Sequence, residues 1–278
     1  MARGFAAIIF LSLAWLASTQ TRAPQLTTVK VKDHLFSIEG EGGNVGVLIT
    51  SEGVILVDDK YDQDHDALVT QIKSLTSQPV RYIFTTHHHS DHSGGNAPFQ
   101  SAAEIISTVN ARTNIVERKQ PNVPVPAPAR LAFTQEMSVF LGGEEVRAQY
   151  FGRGHTNGDA VIYFPALKTI HTGDLMALPS PLIDYVGGGS VIEWTKTLDD
   201  VMTLDFDTVI PGHGHITDRA GLLAYRNNLE KLRNRVSGLI RQGRSQEDVA
   251  KVLTDEYKWA PDSVYMQWSL LGMMTELR

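Results

Sequence analysis

The order of apolar and polar positions along the chain predicts strands and helices that alternate in both halves. In the first half, LTTVKVKDHLFSIEG, NVGVLIT and VILVDD have the two-residue period or the short apolar runs of β-strands. Residues 62–76 place Leu68, Ile72 and Leu75 on one helical face. Further strands are predicted at residues 80–86 and in EIISTV, and a polar helix follows EIISTV.

The second half repeats this order of strands followed by helices. EMSVFLG, EEVRAQYF, DAVIYF and KTIHTGD predict two hairpins, and DTVIPGHG predicts a last short strand. Helices are predicted at residues 190–204, 218–242, 245–257 and 262–277. This order indicates an α/β fold, an αββα sandwich in which two β-sheets pack face to face with helices on both outer faces. We expect residues 23–278 to form a single domain.

The first residues of the chain have the pattern of an export signal. One basic residue, Arg3, precedes an apolar stretch from Phe5 to Ala17 that only Ser12 interrupts. We therefore predict a signal peptide at residues 1–22 and a protein that is exported, either periplasmic or secreted. The alternative is a single membrane anchor, but this stretch is short against the roughly 20 residues of a membrane span.

Composition excludes several classes of function. The chain has 278 residues, of which 42% are hydrophobic, so it can bury one sizeable core. Its net charge is -6 and it has no basic stripe, which argues against a nucleic-acid partner. Without cysteine, disulfides, thiolate zinc sites and cysteine nucleophiles are excluded. We expect a small-molecule substrate and no stable membrane association after signal cleavage, and a homo-oligomer stays open.

Candidate metal-binding side chains are concentrated in TTHHHSDHSGGN, residues 85–96, in a loop that follows a predicted strand. Alternate residues of an extended loop point the same way, so His87 and His89 can bind one cation, while Asp91 and His92 can reach a second. A catalytic zinc typically takes about three protein ligands, so other strand ends must supply the remainder. Three candidates on glycine-containing loops after predicted strands are His155, Asp174 and His213.

Other readings of these histidines are possible. A single histidine after a strand is more often a hydrogen-bonded polar residue, and HHH alone is also typical of an adventitious metal-binding tract. Five histidines and two aspartates at strand ends, flanked by glycine, favour a built metal site. His34 and His65 lack this loop setting, and His171 lies within a strand. His88 and His215 adjoin candidate ligands, and we expect them to line the pocket or support those ligands.

In their order along the chain, these motifs resemble the metallo-β-lactamase-fold superfamily, and the resemblance spans residues 25–278. The superfamily pattern has a strand-ending aspartate, H-x-H-x-D-H, a lone histidine, an aspartate after TG and a final GH. The matching positions here are Asp58, residues 87–92, His155, Asp174 and His213. The motifs are specific for fold and metal chemistry, but one scaffold hosts many substrates.

The resemblance implies a dinuclear centre with two Zn²⁺ per chain, and Fe or Mn are the alternative metals. The implied ligands are His87, His89 and His155 for the first metal, Asp91, His92 and His213 for the second, and Asp174 as the bridge. Asp58 would be structural, because it would orient the histidine loop without touching metal.

The resemblance also implies a metal-dependent hydrolase, in which a hydroxide shared by two metals cleaves an ester, lactone or amide-type carbonyl. Asp91 or a metal-bound water would handle the proton. The ligand set is similar to those of glyoxalase II, the acyl-homoserine lactonases and the phosphodiesterases. β-Lactamase activity on β-lactam antibiotics stays open. So do a mononuclear iron enzyme of the sulfur-dioxygenase type and, from another class, a metal-scavenging protein without turnover.

Two segments are candidate walls of the substrate pocket. MALPSPLIDYVGGGSVIEW, residues 176–194, contains three consecutive glycines, and Tyr185 and Trp194 are its expected apolar contacts. The alternative is a plain connecting loop. The proline-rich PNVPVPAPAR, residues 121–130, is a second candidate wall. The predicted C-terminal helix is apolar on much of its surface, so it is either part of the core or a dimer face.

Overall fold

The computed structural model describes residues 25–117 and 125–278. Within them, two β-sheets pack face to face and helices cover both outer faces, so the predicted αββα sandwich is confirmed. The predicted signal peptide, residues 1–22, and residues 121–124 of the proline-rich segment lie outside the described residues. That residues 23–278 form one domain stays a prediction.

The first sheet contains the strands of the first half in sequence order. They are β1 (Thr27–Lys30), β2 (Leu35–Glu39), β3 (Val45–Ile49), β4 (Val54–Val57), β5 (Val80–Phe84), β6 (Glu104–Thr108) and β7 (Leu131–Phe133). Strands β1 to β4 are antiparallel, and β4 to β7 are parallel. LTTVKVKDHLFSIEG forms two strands rather than one, because the Val31 and Lys32 amides both donate to the Leu35 carbonyl and turn the chain.

The second sheet has the order β13-β12-β11-β10-β9-β8. Its strands are β8 (Glu136–Leu141), β9 (Glu144–Gln149), β10 (Val161–Phe164), β11 (Thr169–His171), β12 (Thr208–Ile210) and β13 (Thr217–Asp218). Only β11 and β12 are parallel among these described pairs. The chain leaves β11 and β12 at the same edge, which is where the candidate residues of the second half lie.

Six helices agree with the predicted ones to within a few residues. Two short ones, Ser90–Ser93 and Asn96–Phe99, were not predicted, and the expectation that the histidine loop is extended is wrong for Ser90–Ser93. The described residues contain eight α-helices. They are α1 (His65–Leu75), α2 (Ser90–Ser93), α3 (Asn96–Phe99), α4 (Val109–Glu117), α5 (Val191–Val201), α6 (Arg219–Arg241), α7 (Gln246–Tyr257) and α8 (Val264–Glu276). Helix α5 is shorter than the predicted 190–204: Ser190 caps its start by accepting from the Glu193 amide, and Met202 is already its C-cap. No helix among the described residues is both long and apolar enough to cross a bilayer.

Three apolar layers explain the sandwich. Between the sheets, side chains such as Phe84 and Ile162 are fully buried in one cluster. A second cluster joins the outer face of the first sheet to Leu68 and Ile72 of α1. A third joins the second sheet to α5, α6, α7 and α8. Because both faces of each sheet are covered, the central strands are apolar along their whole length, as the sequence of VILV in β4 shows.

Candidate metal centre

Asp58 fixes the conformation of the histidine loop. It follows β4 with a φ of 63°, in the left-handed region that non-glycine residues rarely adopt. Its Oδ1 accepts from the Thr86 amide at 2.7 Å, and its Oδ2 accepts from the Thr86 hydroxyl at 2.8 Å and from His92 Nδ1 at 2.7 Å. This fully buried carboxylate therefore orients the loop, and these contacts are those expected of the structural role predicted for it.

Three histidine nitrogens converge in a first cluster. His89 Nδ1 lies 3.1 Å from His87 Nε2 and 2.9 Å from His155 Nε2. The outer nitrogens have acceptors. His87 Nδ1 donates to the Thr86 hydroxyl at 3.1 Å, whose own hydrogen goes to Asp58. His155 Nδ1 donates to the Leu182 carbonyl at 2.6 Å. These bonds assign the tautomers and leave a lone pair on the inner nitrogen of each ring.

Two of these rings, those of His87 and His155, have the charge state that a metal requires. Burial holds the pKa of His87 well below its usual range and lowers the pKa of His155 to about 4, so both rings are neutral near pH 7. His89 Nε2 donates to Asp184 Oδ2 at 3.0 Å, so the inner nitrogen of this ring is Nδ1. A divalent cation accepts all three electron pairs at once, and the first cluster fits one.

A second cluster contains carboxylates as well as imidazoles. Asp91 Oδ2 lies 3.1 Å from His213 Nε2 and 3.5 Å from His92 Nε2, and the two imidazole Nε2 atoms lie 3.2 Å apart. Burial opposes ionisation of Asp91, but His92 and His213 hold its pKa well below the usual range. Asp91, Asp174 and Asp58 raise the pKa of His92 well above its usual range against the effect of burial, so in the metal-free site this ring holds a proton that a metal would displace. With that proton lost, a carboxylate beside two imidazoles is a donor set that suits a second divalent cation.

Asp174 lies between the two clusters. Its Oδ1 is 3.2 Å from His92 Nε2 and 3.5 Å from His213 Nε2, and its Oδ2 is 3.6 Å from His155 Nε2. Its pKa is held below the usual range, because His92 and His213 outweigh the effect of burial. One carboxylate therefore faces both clusters, and all seven predicted ligands come together. That each of them binds metal stays a prediction.

A family profile described as "Metallo-beta-lactamase superfamily" matches residues 38–213, more than half of the chain. The chain belongs to the metallo-β-lactamase superfamily. The resemblance predicted from the motifs is thus confirmed, and the protein is a metal-dependent hydrolase of this superfamily.

Similar proteins include enzymes with different substrates. A "Metallo-beta-lactamase type 2" of Elizabethkingia meningoseptica is 24% identical over 78% of this chain and 90% of its own. A "2,4-dinitroanisole O-demethylase subunit alpha" of Nocardioides sp. (strain JS1661) is 26% identical over 68% of this chain and 58% of its own. The crystal structure of the DIM-1 metallo-beta-lactamase is 26% identical, with a TM-score of 0.64 over 75% of this chain and 98% of its own.

The site formed by the two clusters opens into a cavity of about 1500 Å³. Asp91, Asp174 and His213 line its floor. Tyr185 lies on the wall, as predicted, and its hydroxyl donates to Glu276 Oε2 at 2.8 Å. Of the proline-rich segment, residues 125 and 126 reach the cavity, so the part of this segment that the structure describes does contribute to the wall.

Trp194 is not a substrate contact, and that prediction is wrong. Its side chain is fully buried in the core against the second sheet, and its indole N–H donates to the Leu175 carbonyl at 3.2 Å. The physical reason is helical phase. Ser190 is the N-cap of α5, so Val191, Trp194 and Leu198 fall on the face that packs inward.

The remaining histidines divide as predicted, with one exception. His34 Nε2 lies 3.1 Å from Glu144, the His65 ring packs edge-on against a phenylalanine, and His171 is buried with its Nε2 donating to a backbone carbonyl at 3.0 Å. His88 lines the cavity. His215 does not: its side chain is 95% exposed, and its Nδ1 lies 3.1 Å from Glu39. The prediction that His215 lines the pocket or supports the ligands is therefore wrong.

Two functional side chains were missed by the sequence reasoning. Asp184 accepts from His89 Nε2, and its Oδ1 accepts from the Gly187 amide at 2.7 Å. Its position beside three glycines was a sequence signal of the kind used for the predicted ligands, but Asp184 follows no strand.

Lys60 is fully buried and donates from Nζ to the Glu41 carbonyl at 3.0 Å and the Gly43 carbonyl at 2.8 Å. It thereby holds Gly43 against the His92 ring, where a Cβ would overlap the imidazole.

Asp184→Ala is expected to weaken metal binding at the first cluster about 10- to 100-fold, because the carboxylate fixes the orientation and basicity of His89. Asp184→Asn keeps an acceptor for His89 and should recover part of the affinity. The measurement is zinc affinity by competition with a chromogenic chelator. Asp205→Ala, which removes an exposed carboxylate paired with Lys168, is the matched control. Equal zinc affinity in Asp184→Ala and wild type would contradict this role.

Proposed function

We propose that the protein is a dinuclear zinc hydrolase that cleaves an ester, lactone or amide-type carbonyl of a small molecule. The observation that carries this proposal is the position of Asp174, whose two carboxylate oxygens face the two clusters. The ligand set without cysteine, two carboxylates and five imidazoles, supports zinc. Fe and Mn remain the alternative metals.

Two bound divalent cations supply an acidic water and polarise a carbonyl oxygen, so no serine or cysteine nucleophile is needed. The side chains of this chain do the remaining work. Asp91 is 19% exposed and faces the cavity, so its carboxylate can pass on a proton that the reaction releases. Because its pKa is held well below the usual range, it would be a relay for that proton and not its final acceptor. The buried ligands His87, His92 and His155 admit no bulk water from behind the site.

Two of the alternatives are supported less well. A mononuclear iron enzyme needs one cluster only, whereas the described residues supply more than one set of donors. A scavenging protein needs no substrate cavity, whereas this cavity opens directly onto Asp91 and Asp174. β-Lactamase activity is the second candidate function, and the names of the metallo-β-lactamase relatives favour it.

A hydrolysis panel with the zinc-loaded protein tests the proposal. It contains esters, lactones, phosphodiesters and a chromogenic cephalosporin, each run before and after chelation. We expect turnover of an ester or lactone that chelation abolishes and zinc restores, and that Asp91→Asn lowers strongly. Cephalosporin turnover alone would favour the second candidate, and phosphodiester cleavage alone would overturn the proposed substrate class.

We also propose that the protein is exported, with residues 1–22 removed as a signal peptide and a periplasmic or secreted product. Its partner would be a small-molecule substrate, without nucleic acid and without stable membrane association after cleavage. The apolar stretch from Phe5 to Ala17 supports export. Cell fractionation with N-terminal sequencing of the product tests it, and an intact N-terminus in the cytosolic fraction would contradict it.

A further inference from the structure

Helix α8 has two apolar faces. One is buried in the core and consists of Met266, Leu270, Met273 and Met274. The other faces the cavity, where Val264, Trp268 and Leu271 follow one another at spacings of four and three residues. This explains why the C-terminal helix is apolar on much of its surface. It is part of the core on one side, and on the other it is a wall of the cavity.

Contacts at its C-terminal end hold α8 over the site. Gly272 touches the Tyr185 ring so closely that a Cβ would overlap it. Glu276 accepts from the Tyr185 hydroxyl at 2.8 Å, from the Val191 amide at 3.0 Å and from the Ser190 hydroxyl. These bonds join the helix to the start of α5 and to the loop before it. These contacts therefore hold the apolar wall in a fixed position beside the site.

Exposed apolar side chains are concentrated in this cavity. Among the described residues, twelve large apolar side chains are exposed, and half of them line it. Those six are Val125, Leu178, Val186, Val264, Trp268 and Leu271. Val186 is 78% exposed and Leu271 is 63% exposed, so considerable apolar surface faces open space. Exposed apolar side chains that line one cavity mark it as a binding site.

This apolar surface is continuous with the metal centre. The Trp268 ring lies 5.3 Å from the His89 ring, and the same cavity is lined by Asp91, Asp174 and His213. The surface is concave, which suits a small molecule better than a flat protein partner. Two charged side chains on its walls, Arg153 and Glu276, already have partners. Arg153 donates to Glu193 at 2.5 Å, and Glu276 accepts from the Tyr185 hydroxyl.

We propose that α8, with Leu178 and Val186 opposite it, forms a subsite for an extended apolar group of the substrate, an alkyl chain or an aryl ring. This inference rests on the proposed function, because it assigns the part of the substrate next to the carbonyl that is cleaved. An apolar group there covers Trp268 and Leu271 and leaves no wall charge without a partner. The substrate class is thus an ester or lactone of a medium-chain or aromatic acid.

Chain-length series measured on Leu271→Ser test the subsite. Hydrolysis of p-nitrophenyl esters is measured from two to eight acyl carbons, together with binding of the matching straight-chain carboxylates by calorimetry. In the wild type, kcat/KM and carboxylate affinity should rise about two- to fourfold per methylene. Leu271→Ser should flatten both series, with the zinc content unchanged. Trp268→Ala should act in the same direction, and Leu223→Ser, which changes an exposed leucine of α6 outside the cavity, should not.

The outcomes separate the subsite from the proposed function. Ester hydrolysis that does not depend on chain length would overturn the subsite and leave the hydrolase proposal standing. Carboxylate binding that rises with chain length, without hydrolysis of any ester or lactone, would support the subsite and contradict the proposed function. Light scattering then measures the oligomeric state of the wild type and of Leu271→Ser. A wild-type dimer that Leu271→Ser converts to a monomer would assign the apolar face to a second copy of the chain and overturn the subsite.

Discussion

His89→Ala is expected to lower turnover by more than about 100-fold. Loss of a side chain that only supports a metal ligand costs up to about 100-fold, and loss of a ligand itself should cost more. The reason is that Nδ1 of His89 lies within 3.1 Å of the facing nitrogens of both His87 and His155, so its loss removes one of three donors of the first cluster. The measurement is kcat/KM on the best substrate of the panel, with zinc content determined on the same samples.

The neighbouring histidine provides the matched control. His88 lines the cavity beside Asp184 and belongs to neither of the two clusters, although with His89 and Asp184 it forms a further group that could hold a metal. His88→Ala should therefore keep the wild-type zinc content and change kcat/KM only modestly. Loss of zinc in His88→Ala, or wild-type turnover in His89→Ala, would mean that the register of the loop has been assigned wrongly.

Asp174→Ala is expected to reduce the zinc content from about two equivalents toward one. The substitution removes the carboxylate that faces both clusters, while the three histidines of the first cluster keep their hydrogen-bonded orientation. Turnover should fall with it. Since metal binds only the folded state, the difference in melting temperature between zinc-loaded and chelated protein should shrink as well.

Asp205→Ala serves as the control for Asp174→Ala, because it also removes a carboxylate but from the exposed surface. It should keep two zinc equivalents and the wild-type response to chelation. An Asp174→Ala protein that still binds two equivalents would show that this carboxylate does not join the two sites.

The sequence predicted the fold and the gathering of the ligands well, because both depend on local patterns. Strand ends are visible as apolar runs, and the loops after β5, β11 and β12 carry His87, Asp174 and His213. Parallel pairing of β4 with β5 and of β11 with β12 then brings such loops to common edges. Spacing alone gave no reason to expect that Asp174 faces both clusters.

The features that were missed depend on contacts distant in sequence. Asp184 supports His89 across 95 positions of the chain, and nothing near Asp184 in sequence announces that partner. Trp194 was misassigned because the loop that precedes it does line the cavity, while the helix that starts at Val191 turns the indole inward. Both faces of α8 are apolar, so only packing distinguishes the core face from the cavity wall.

The most direct test of the dinuclear centre is anomalous diffraction from crystals of the zinc-loaded protein, recorded on both sides of the zinc absorption edge. Two zinc peaks about 3.5–4 Å apart are expected, one among His87, His89 and His155 and the other among Asp91, His92 and His213, with Asp174 between them. A single peak, an iron edge in place of the zinc edge, or a peak held by His88, His89 and Asp184 would contradict the account.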